Sequence, residues 1–417
     1  MIKHLTILAC LLALSNGLYA QWDTISTFNQ VISDLQTHDG KLFLGGGFTK
    51  NEDQTCNWSA YYNGNFITRH TALIGGSGIR QMAEFNGELY SVGALHIGFG
   101  TGVSLWDGST WVDGGSTNYS HSVIYADEND LYVVSDDDIV RKKTGTGTFE
   151  HLMTKPISAI VRYKDDLIFA GNFDSINGVM AKGIAAWDGT TWRPLAGGTS
   201  GGIGNMIVYK DELYVSGSIN NAGGVSVKRI AKWDGTEWFD VGGGITGNSF
   251  NGIRDMAVYR DHLIIVGDFD EVGSSSMENV AMWDGSTWKG LDLGFSFPNC
   301  VEVYDDKLYV GTFDFDRTHL LRYAGDIAGT GASERMRNIS IYPNPVNEVI
   351  NINIEIAGTE NIQIQVMDML GKVMLREEIT LAAQASINCS ALKPGTYILW
   401  ISDGTNDGTV RRKLIKI

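Results

Sequence analysis

One apolar pattern recurs seven times along the chain and constrains its fold more than any other feature. Each copy is a short stretch centred on leucine, preceded by turn residues and followed by small residues, as in Asp211–Gly217, which reads DELYVSG. Consecutive copies lie 36 to 50 residues apart, and their central leucines are Leu42, Leu89, Leu131, Leu167, Leu213, Leu263 and Leu308. Periods of this size predict a chain assembled from equivalent structural units.

Each repeat reads as four short strands. A first apolar stretch, a turn and the leucine strand are followed by a glycine-rich loop, a third strand ending in Trp-Asp-Gly, and a fourth strand that begins at a second tryptophan. Apolar and polar residues alternate with the period of a β-strand, and Asp-Gly favours a hairpin. We therefore predict hairpins at Trp106–Trp111, Trp187–Trp192, Trp233–Trp238 and Trp283–Trp288, with weaker copies at 62–66 and 142–149.

The two ends of the repeat region complement each other. The stretch after Gln21 begins with Trp22 and reads as a fourth strand without a third, whereas the last repeat stops after its third strand, at Tyr323. Pairing of these ends would complete one unit and close a ring, which removes exposed sheet edges. The sequence thus predicts an all-β chain in which residues 21–325 form a seven-bladed β-propeller with ring closure by the N-terminal strand.

The repeats resemble the units of kelch-like β-propellers, in the variant that carries an IAxWDGxxW hairpin. The resemblance rests on paired glycines, on the spaced tryptophan pair, and on a tyrosine four residues before the central leucine, at Tyr163, Tyr209, Tyr259 and Tyr304. It extends over about 300 residues. It implies a fold rather than a function, because propellers support many activities.

The N-terminus reads as a secretory signal peptide over residues 1–20. Lys3 provides the positive start, Leu5–Leu14 is apolar, and Ala20 is a small residue at the expected cleavage point. No apolar run in the chain is long enough to predict a membrane span. In an alternative interpretation, Ile7–Cys10 is a lipoprotein box and Cys10 carries the lipid.

A change in composition marks a second region. Residues 326–338 are mostly small and polar and are predicted to be a linker. From Ile339, alternating Ile and Val residues between turn residues predict several short strands and a small β-sandwich over 339–417.

The second region resembles the C-terminal sorting domain of the type IX secretion system of Bacteroidota. Four matching segments occur in order, at Ile341–Pro345, Met369–Val373, Leu392–Tyr397 and Arg411–Ile417, and the motif residues are Pro343, Asn344, Pro345, Gly371, Gly395, Tyr397, Lys413 and Lys416. The resemblance implies the type IX secretion machinery as a partner and a secreted or outer-membrane surface location. It also implies removal of this domain after export.

Charge and the scatter of potential ligands exclude several kinds of site. The net charge is -16 and lies almost wholly in the repeat region, because acidic and basic residues balance within 333–417. Phosphate binding needs a basic face, so no nucleic-acid partner is expected. The histidines lack the spacing of metal ligands, so no metal centre or cofactor is expected. Acidic clusters at 136–138, 268–270 and 314–316 are either solvated turns or calcium ligands.

Three cysteines remain after the signal peptide, Cys56, Cys300 and Cys389. An odd number leaves at least one thiol outside any intramolecular disulfide. Cys56 and Cys300 belong to the first and last repeats, which become neighbours if the ring closes. A Cys56–Cys300 disulfide would fasten that closure in an oxidising compartment. The alternative is that both are small buried thiols.

No catalytic motif occurs in the sequence, so the chain is expected not to be an enzyme. The recurring tryptophans are expected to pack between repeats. Ligand binding is assigned instead to irregular aromatics in long loops, since loops on a rigid scaffold often carry function: Phe99, Tyr119, Phe250, Phe295 and Phe297. The leading hypothesis is a secreted or cell-surface module that binds a protein or glycan. The alternatives are an extracellular enzyme acting on polysaccharide, and a structural spacer.

Overall fold

The computed structural model consists of strands and connecting loops, with no helix in its described residues. These are 22–71, 76–97, 100–115, 119–246, 252–291, 293, 297–313, 317–324, 336–343, 346–356, 361–368, 372–380, 384–402 and 409–417. The chain divides into two units, Met1–Gly325 and Asp326–Ile417.

The first unit contains 37 strands in its described residues. The first twenty-one are β1 (Trp22–Phe28), β2 (Ile32–His38), β3 (Lys41–Gly46), β4 (Lys50–Asn51), β5 (Gln54–Thr55), β6 (Ser59–Tyr62), β7 (Ile67–Arg69), β8 (Gly76–Phe85), β9 (Glu88–Ile97), β10 (Gly100–Trp106), β11 (Trp111–Asp113), β12 (His121–Ala126), β13 (Asp130–Ser135), β14 (Ile139–Thr144), β15 (Glu150–Thr154), β16 (Ile157–Tyr163), β17 (Asp166–Gly171), β18 (Ser175–Ile176), β19 (Val179–Met180), β20 (Ile184–Trp187) and β21 (Trp192–Pro194). The others are β22 (Ile203–Tyr209), β23 (Glu212–Gly217), β24 (Asn221–Ala222), β25 (Val225–Ser226), β26 (Ile230–Trp233), β27 (Trp238–Asp240), β28 (Ile245–Thr246), β29 (Gly252–Tyr259), β30 (His262–Asp268), β31 (Glu271–Val272), β32 (Ser275–Ser276), β33 (Val280–Trp283), β34 (Trp288–Gly290), β35 (Phe297–Tyr304), β36 (Lys307–Phe313) and β37 (Thr318–Tyr323).

Twenty-eight of these strands form seven antiparallel four-stranded sheets; β4 and β5 extend the seventh, and the others form three small sheets of two or three strands. In chain order the four-stranded sheets are sheet 1 (β2-β3-β6-β7), sheet 2 (β8-β9-β10-β11), sheet 3 (β12-β13-β14-β15), sheet 4 (β16-β17-β20-β21), sheet 5 (β22-β23-β26-β27), sheet 6 (β29-β30-β33-β34) and sheet 7 (β35-β36-β37-β1). The fourth strand of sheet 7 is the N-terminal strand, which places Trp22 opposite Tyr323.

Local sequence explains the hairpins within each sheet. Between β22 and β23, Lys210 and Asp211 both adopt positive φ, 50° and 61°, as a two-residue type I′ turn requires. The Trp-Asp-Gly motifs form the predicted second hairpin, in which the two tryptophans face each other across the strands, as at Trp233 and Trp238. The intervening Asp234 accepts hydrogen bonds from the backbone N–H groups of the two residues that close the loop. These N–H groups hold the pKa of Asp234 below its usual value.

The first strands of neighbouring sheets lie side by side, and β35 of sheet 7 also lies beside β2 of sheet 1. Side chains on these strands bond to the next sheet, often from a residue that follows a β-bulge. These contacts are Asp34 with Met82 N (2.6 Å), Gln81 with Ile124 N (2.9 Å), Tyr125 with Arg162 N (2.8 Å), Ser158 with Ile203 O, Asn205 with Ile253 O (3.4 Å), Asp255 with Val301 N (2.8 Å) and Asn299 with Ile32 O (3.1 Å). Every sheet is thus bonded to the one that follows it, and sheet 7 to sheet 1.

Apolar side chains of adjacent sheets share their hydrophobic clusters. One cluster joins sheets 4 and 5 through Ile168, Ala186 and Val215, and another joins sheets 7 and 1 through Tyr309 and Leu44. Burial of this surface is the main force that holds neighbouring sheets together.

The second unit contains seven strands in its described residues. They are β38 (Met336–Tyr342), β39 (Val349–Ile356), β40 (Asn361–Met367), β41 (Val373–Thr380), β42 (Gln384–Asn388), β43 (Gly395–Ser402) and β44 (Thr409–Lys416). They form two antiparallel sheets, β38-β39-β42 and β41-β40-β43-β44. Both contribute to one buried cluster, for example through Ile352 and Leu399. Strand β38 begins at Met336, so the last three residues of the predicted linker belong to a strand.

Candidate functional site

The structure describes two of the five predicted ligand-binding aromatics. Tyr119 lies just before β12 with 46% of its surface exposed, and the Arg141 guanidinium lies 5.4 Å from its ring centre. Phe297 is half-buried at the start of β35, opposite Phe313. Phe99, Phe250 and Phe295 lie outside the described residues. Neither Tyr119 nor Phe297 lines either of the two cavities described below.

A cavity of about 460 Å³ lies where the first strands of sheets 4, 5 and 6 begin. We call it the loop pocket. Loops that enter first strands meet loops that leave second strands there. Its lining residues are Asp138, Pro156, Ile157, Ser158, Asn172, Gly202, Ile203, Gly204, Gly217, Ser218, Arg229 and Ile253. The size is within the range of small-ligand sites, about 300 to 1,000 Å³.

The acidic cluster at 136–138 has protein partners in the structure. Asp136 pairs with Arg80 at 2.6 Å, and Asp137 accepts a hydrogen bond from Ser135, which lowers the pKa of its carboxyl. Of the other clusters, 314–316 lies outside the described residues. Within the described ranges, no group of three or more His, Cys, Asp or Glu side chains is arranged to hold a metal ion.

Three carboxyl groups that the sequence analysis did not single out come from neighbouring first strands. Asp34 lies on β2, Asp255 on β29 and Glu302 on β35. Burial and the charges of the other two raise the pKa of Asp34 well above its usual value. Burial raises the pKa of Asp255 to about 6, and burial with the nearby Asp255 raises that of Glu302 to about 7. Glu302 also accepts hydrogen bonds from Thr37 of sheet 1, so these acids contribute contacts between sheets.

The Cys56–Cys300 disulfide is not formed. Both residues belong to one cluster between sheets 7 and 1, but each is a buried free thiol, as is Cys389. The Cys56 thiol donates to Ser59 O at 3.3 Å and the Cys300 thiol to Ile32 O at 3.5 Å. The alternative of small buried thiols describes both residues in the structure.

The tryptophan pairs are packed between sheets, with one exception. At least one ring is buried in the pairs of sheets 2, 5 and 6, whereas Trp187 and Trp192 of sheet 4 are both half-buried. Their rings are stacked, with centroids 5.6 Å apart and planes at 11°. They line a cavity of about 570 Å³ beside β15 of sheet 3, which we call the tryptophan cavity. The sequence feature that could have revealed this cavity is the absence of a glycine-rich turn from the third repeat.

Among the sorting-motif residues, the structure shows Tyr397 buried, with its hydroxyl donating to Lys393 O at 2.9 Å. Gly395 pairs with the buried Lys416 across β43 and β44, and Lys413 lies on β44. Pro343 follows β38. Asn344, Pro345 and Gly371 lie outside the described residues.

Comparisons with known proteins identify the C-terminal region. Residues 340–417 match the family model of the secretion system C-terminal sorting domain. This domain indicates interaction with the type IX secretion machinery, export by that system, and a cell-surface or secreted fate. No helix among the described residues has the length and apolar character needed to cross a membrane. A search of curated proteins found no match.

Solved structures to which the chain is similar include three of bacterial or archaeal origin. The extracellular domain of a protein described as a one-component system from B. thetaiotaomicron is 10% identical, with a TM-score of 0.46, over 95% of this chain and 59% of that one. PorZ, a surface component of the type IX secretion system of Porphyromonas gingivalis, is 14% identical, with a TM-score of 0.37, over 91% and 64%. The β-propeller domain of the Trilobed protease from Pyrococcus furiosus is 13% identical, with a TM-score of 0.46, over 72% and 96%. The chain thus spans less than two thirds of the first two proteins.

Proposed function

We propose that this chain is a non-catalytic binding module, secreted or displayed on the cell surface of a member of the Bacteroidota, that recognises a protein or glycan through the loop pocket. The single observation that carries the proposal is the pocket itself. Four successive sheets contribute to it, and Gly202, Gly204 and Gly217 in its wall have no side chain that would fill it.

We further propose that the seven sheets are blades of a closed kelch-like β-propeller. Support comes from the pairing of β1 with β37, which completes sheet 7 with the N-terminal strand. The bond from Asn299 to Ile32 O joins sheet 7 to sheet 1 in the way that other sheets are joined. Propellers carry variable loops on one face of a rigid frame, which suits a binding role. Residues 1–20 would direct the chain to the first export step and be removed.

The alternative function, an extracellular enzyme acting on polysaccharide, is favoured by the raised pKa values of Asp255 and Glu302. A glycosidase needs two carboxyl groups on either side of the bond to be cleaved. Asp34, Asp255 and Glu302 instead accept bonds from neighbouring sheets, and Asp138 is the one carboxyl residue in the lining of the loop pocket. We therefore place this alternative second.

Filling the loop pocket tests the proposal. Gly204 has space for a side chain, since an added Cβ would meet nothing closer than Ser216 O at 4.0 Å. Gly204→Phe should therefore reduce binding to surface glycans or extracellular proteins at least tenfold without unfolding the protein. Gly290→Phe, on β34 and outside the pocket lining, is the matched control.

Binding would be measured on glycan and protein arrays with the mature chain, beside an assay for released sugar. Release of sugar that Glu302→Gln or Asp255→Asn abolishes would establish the enzyme in place of the binding module. Binding that Gly204→Phe leaves intact would place the ligand elsewhere on the surface.

A further inference from the structure

The tryptophan pairs of sheets 5 and 6 are covered by a turn from the preceding sheet. Trp238 donates from its indole N–H to Leu195 O at 3.3 Å, and Trp288 donates to Val241 O at 3.0 Å. A glycine-containing turn follows each acceptor, and the turn after Val241 lies on the rings. A Cβ added at Gly242 would come within 2.6 Å of Trp283 and 2.7 Å of the Trp288 Nε1 atom.

The corresponding turn is missing in sheet 3, which precedes the pair of sheet 4. The chain continues from Leu152 through Met153-Thr154 as strand β15, with no glycine. In the part of the chain that the structure describes, nothing comparable to the turn at Gly242 therefore lies on Trp187 and Trp192. Among the described residues, neither indole N–H of this pair has a hydrogen-bond partner.

A second change accompanies the missing turn. In sheet 5, Gly223 lies against Trp238, and a Cβ there would be 2.4 Å from the ring and 2.6 Å from Ala196 O. The equivalent residue of sheet 4 is Asn177, in the turn between β18 and β19. Its side chain lines the tryptophan cavity and is exposed. The space closed by glycines in sheet 5 is thus open in sheet 4 and bordered by an amide.

The lining of the cavity is uncharged and mixes aromatic surface with polar groups. The hydroxyls of Thr190 and Thr191 donate to Asp188, so their oxygens keep lone pairs that can accept from a ligand. Asn177 can both donate and accept, and the two indole N–H groups can donate. The site therefore offers both kinds of hydrogen-bonding group beside two indole rings.

We propose that the tryptophan cavity binds a neutral pyranose unit of an extracellular glycan. Indole rings provide apolar surface on which the C–H face of a sugar can stack, with a polar N–H at the edge. Sugar hydroxyls need acceptors as well as donors, and the cavity supplies both. A proline-rich peptide would present mainly carbonyl acceptors and would leave the threonine oxygens without a donor. The inference rests on the proposed binding function and identifies a second site for it.

The test uses the mature full-length protein and neutral hexasaccharides of glucose, mannose, xylose and galactose, with affinity measured by calorimetry. We expect at least one hexasaccharide to bind, and Trp192→Ala to weaken that binding at least tenfold. Asn177 has a φ of 45°, which glycine adopts readily, so Asn177→Gly removes the amide and keeps the turn. This variant should weaken binding about three- to tenfold. The control is Trp238→Ala, which changes the equivalent, buried tryptophan of sheet 5. Under conditions where this variant is folded, its affinity should lie within twofold of the wild type.

Other outcomes would contradict the inference. Equal affinity in the wild type and Trp192→Ala would show that the sugar binds elsewhere. Binding of a proline-rich decapeptide in place of every hexasaccharide would assign the cavity to peptides. If Gly204→Phe abolished hexasaccharide binding and Trp192→Ala left it intact, the sugar would bind in the loop pocket and the proposal for the tryptophan cavity would be refuted. The reverse pattern would support the tryptophan cavity as a sugar site separate from the loop pocket.

Discussion

The hydroxyl of Tyr304 donates a hydrogen bond to the carbonyl oxygen of Gly40, 2.9 Å away and 264 residues earlier in the chain. The same recurring tyrosine in other sheets reaches the corresponding turn of the next sheet, as Tyr209 does with Asp261 O at 2.7 Å. Sheet 7 therefore contacts sheet 1 as sheet 5 contacts sheet 6, although one contact joins the ends of the unit and the other joins consecutive repeats.

The tyrosine bonds provide a test of the contact between sheets 7 and 1. Tyr304→Phe removes one hydrogen bond and should lower the free energy of unfolding by about 1 kcal/mol. Tyr209→Phe, the matched substitution between consecutive repeats, should have a similar effect. Urea unfolding monitored by tryptophan fluorescence measures both. If Tyr209→Phe lowered the free energy of unfolding by about 1 kcal/mol and Tyr304→Phe left it unchanged, the two ends would be separate in solution.

The raised pKa values of Asp255 and Glu302 predict that stability falls as the pH rises. Folding raises the pKa of Asp255 to about 6 and of Glu302 to about 7, so the folded protein binds protons that the unfolded chain has released. Their contribution is present below about pH 4, where both states are protonated, and is lost as the pH rises through 6 and 7. Glu302→Gln should therefore raise the free energy of unfolding at pH 8, by roughly 1 to 3 kcal/mol.

Measurement across pH 4.5 to 8 checks this sign. The stabilisation by Glu302→Gln should shrink toward zero at pH 4.5, and Glu237→Gln at an exposed position should show no such trend. If Glu302→Gln were destabilising at pH 8, the ionised carboxylate would be the favoured form in the folded state.

The cysteines predict a specific pattern of thiol reactivity. Burial raises the pKa of Cys56 to about 11 and also raises that of Cys300 and Cys389. Because the thiolate is the reactive form, an aromatic disulfide reagent should react slowly with the native mature protein. It should react with three thiols per chain in guanidinium without reductant. A count of one thiol would indicate a disulfide.

The two tryptophan classes should differ in their effect on stability. Trp238 is 3% exposed and bonded to Leu195 O, so Trp238→Ala should cost about 3 to 5 kcal/mol. Trp192 is half-buried and packs against Phe169, with centroids 5.1 Å apart, so Trp192→Ala should cost markedly less. Thermal unfolding compares them. Equal costs would mean that Trp192 is covered in solution.

Removal of residues 340–417 should stop delivery to the cell surface, because this segment matches the sorting domain. Cell fractionation and surface labelling would detect the truncated chain in the periplasm. Appearance of the truncated protein outside the cell would show that another segment directs export.

Much of the strand pattern could be predicted because local sequence determines it. Strand β39 (Val349–Ile356) shows the strong alternation of Ile and Val that predicted short strands in this region. Strand β42 (Gln384–Asn388) also alternates, with Ala385 and Ile387 buried, but it is short and contains one β-branched residue, so its sequence signal is weak. The hairpins followed from Asp-Gly and from paired tryptophans, which act over a few residues.

The sites were harder to predict because they depend on residues far apart in sequence. Asp34 and Asp255 occupy equivalent repeat positions, but Glu302 does not, so no repeat comparison would group them. Trp187 and Trp192 follow the motif, and their exposure depends on glycines that are missing from the preceding repeat. Sequence reasoning treated all the tryptophan pairs alike, and the structure separates them.

The pairing of Trp22 with Tyr323 has a consequence for the order in which the molecule can be completed. Strand β1 is synthesised before the other strands but pairs with β37, the last strand of the repeat region. Sheet 7 can therefore be completed only after the whole repeat region has been synthesised. In a chain that passes through a secretion channel from either end, β1 and β37 could not pair until both ends had passed. In the sequence, β1 follows the predicted signal cleavage point and β37 precedes the predicted linker. Proteolytic cleavage at either place would therefore create a chain end next to this same strand pair.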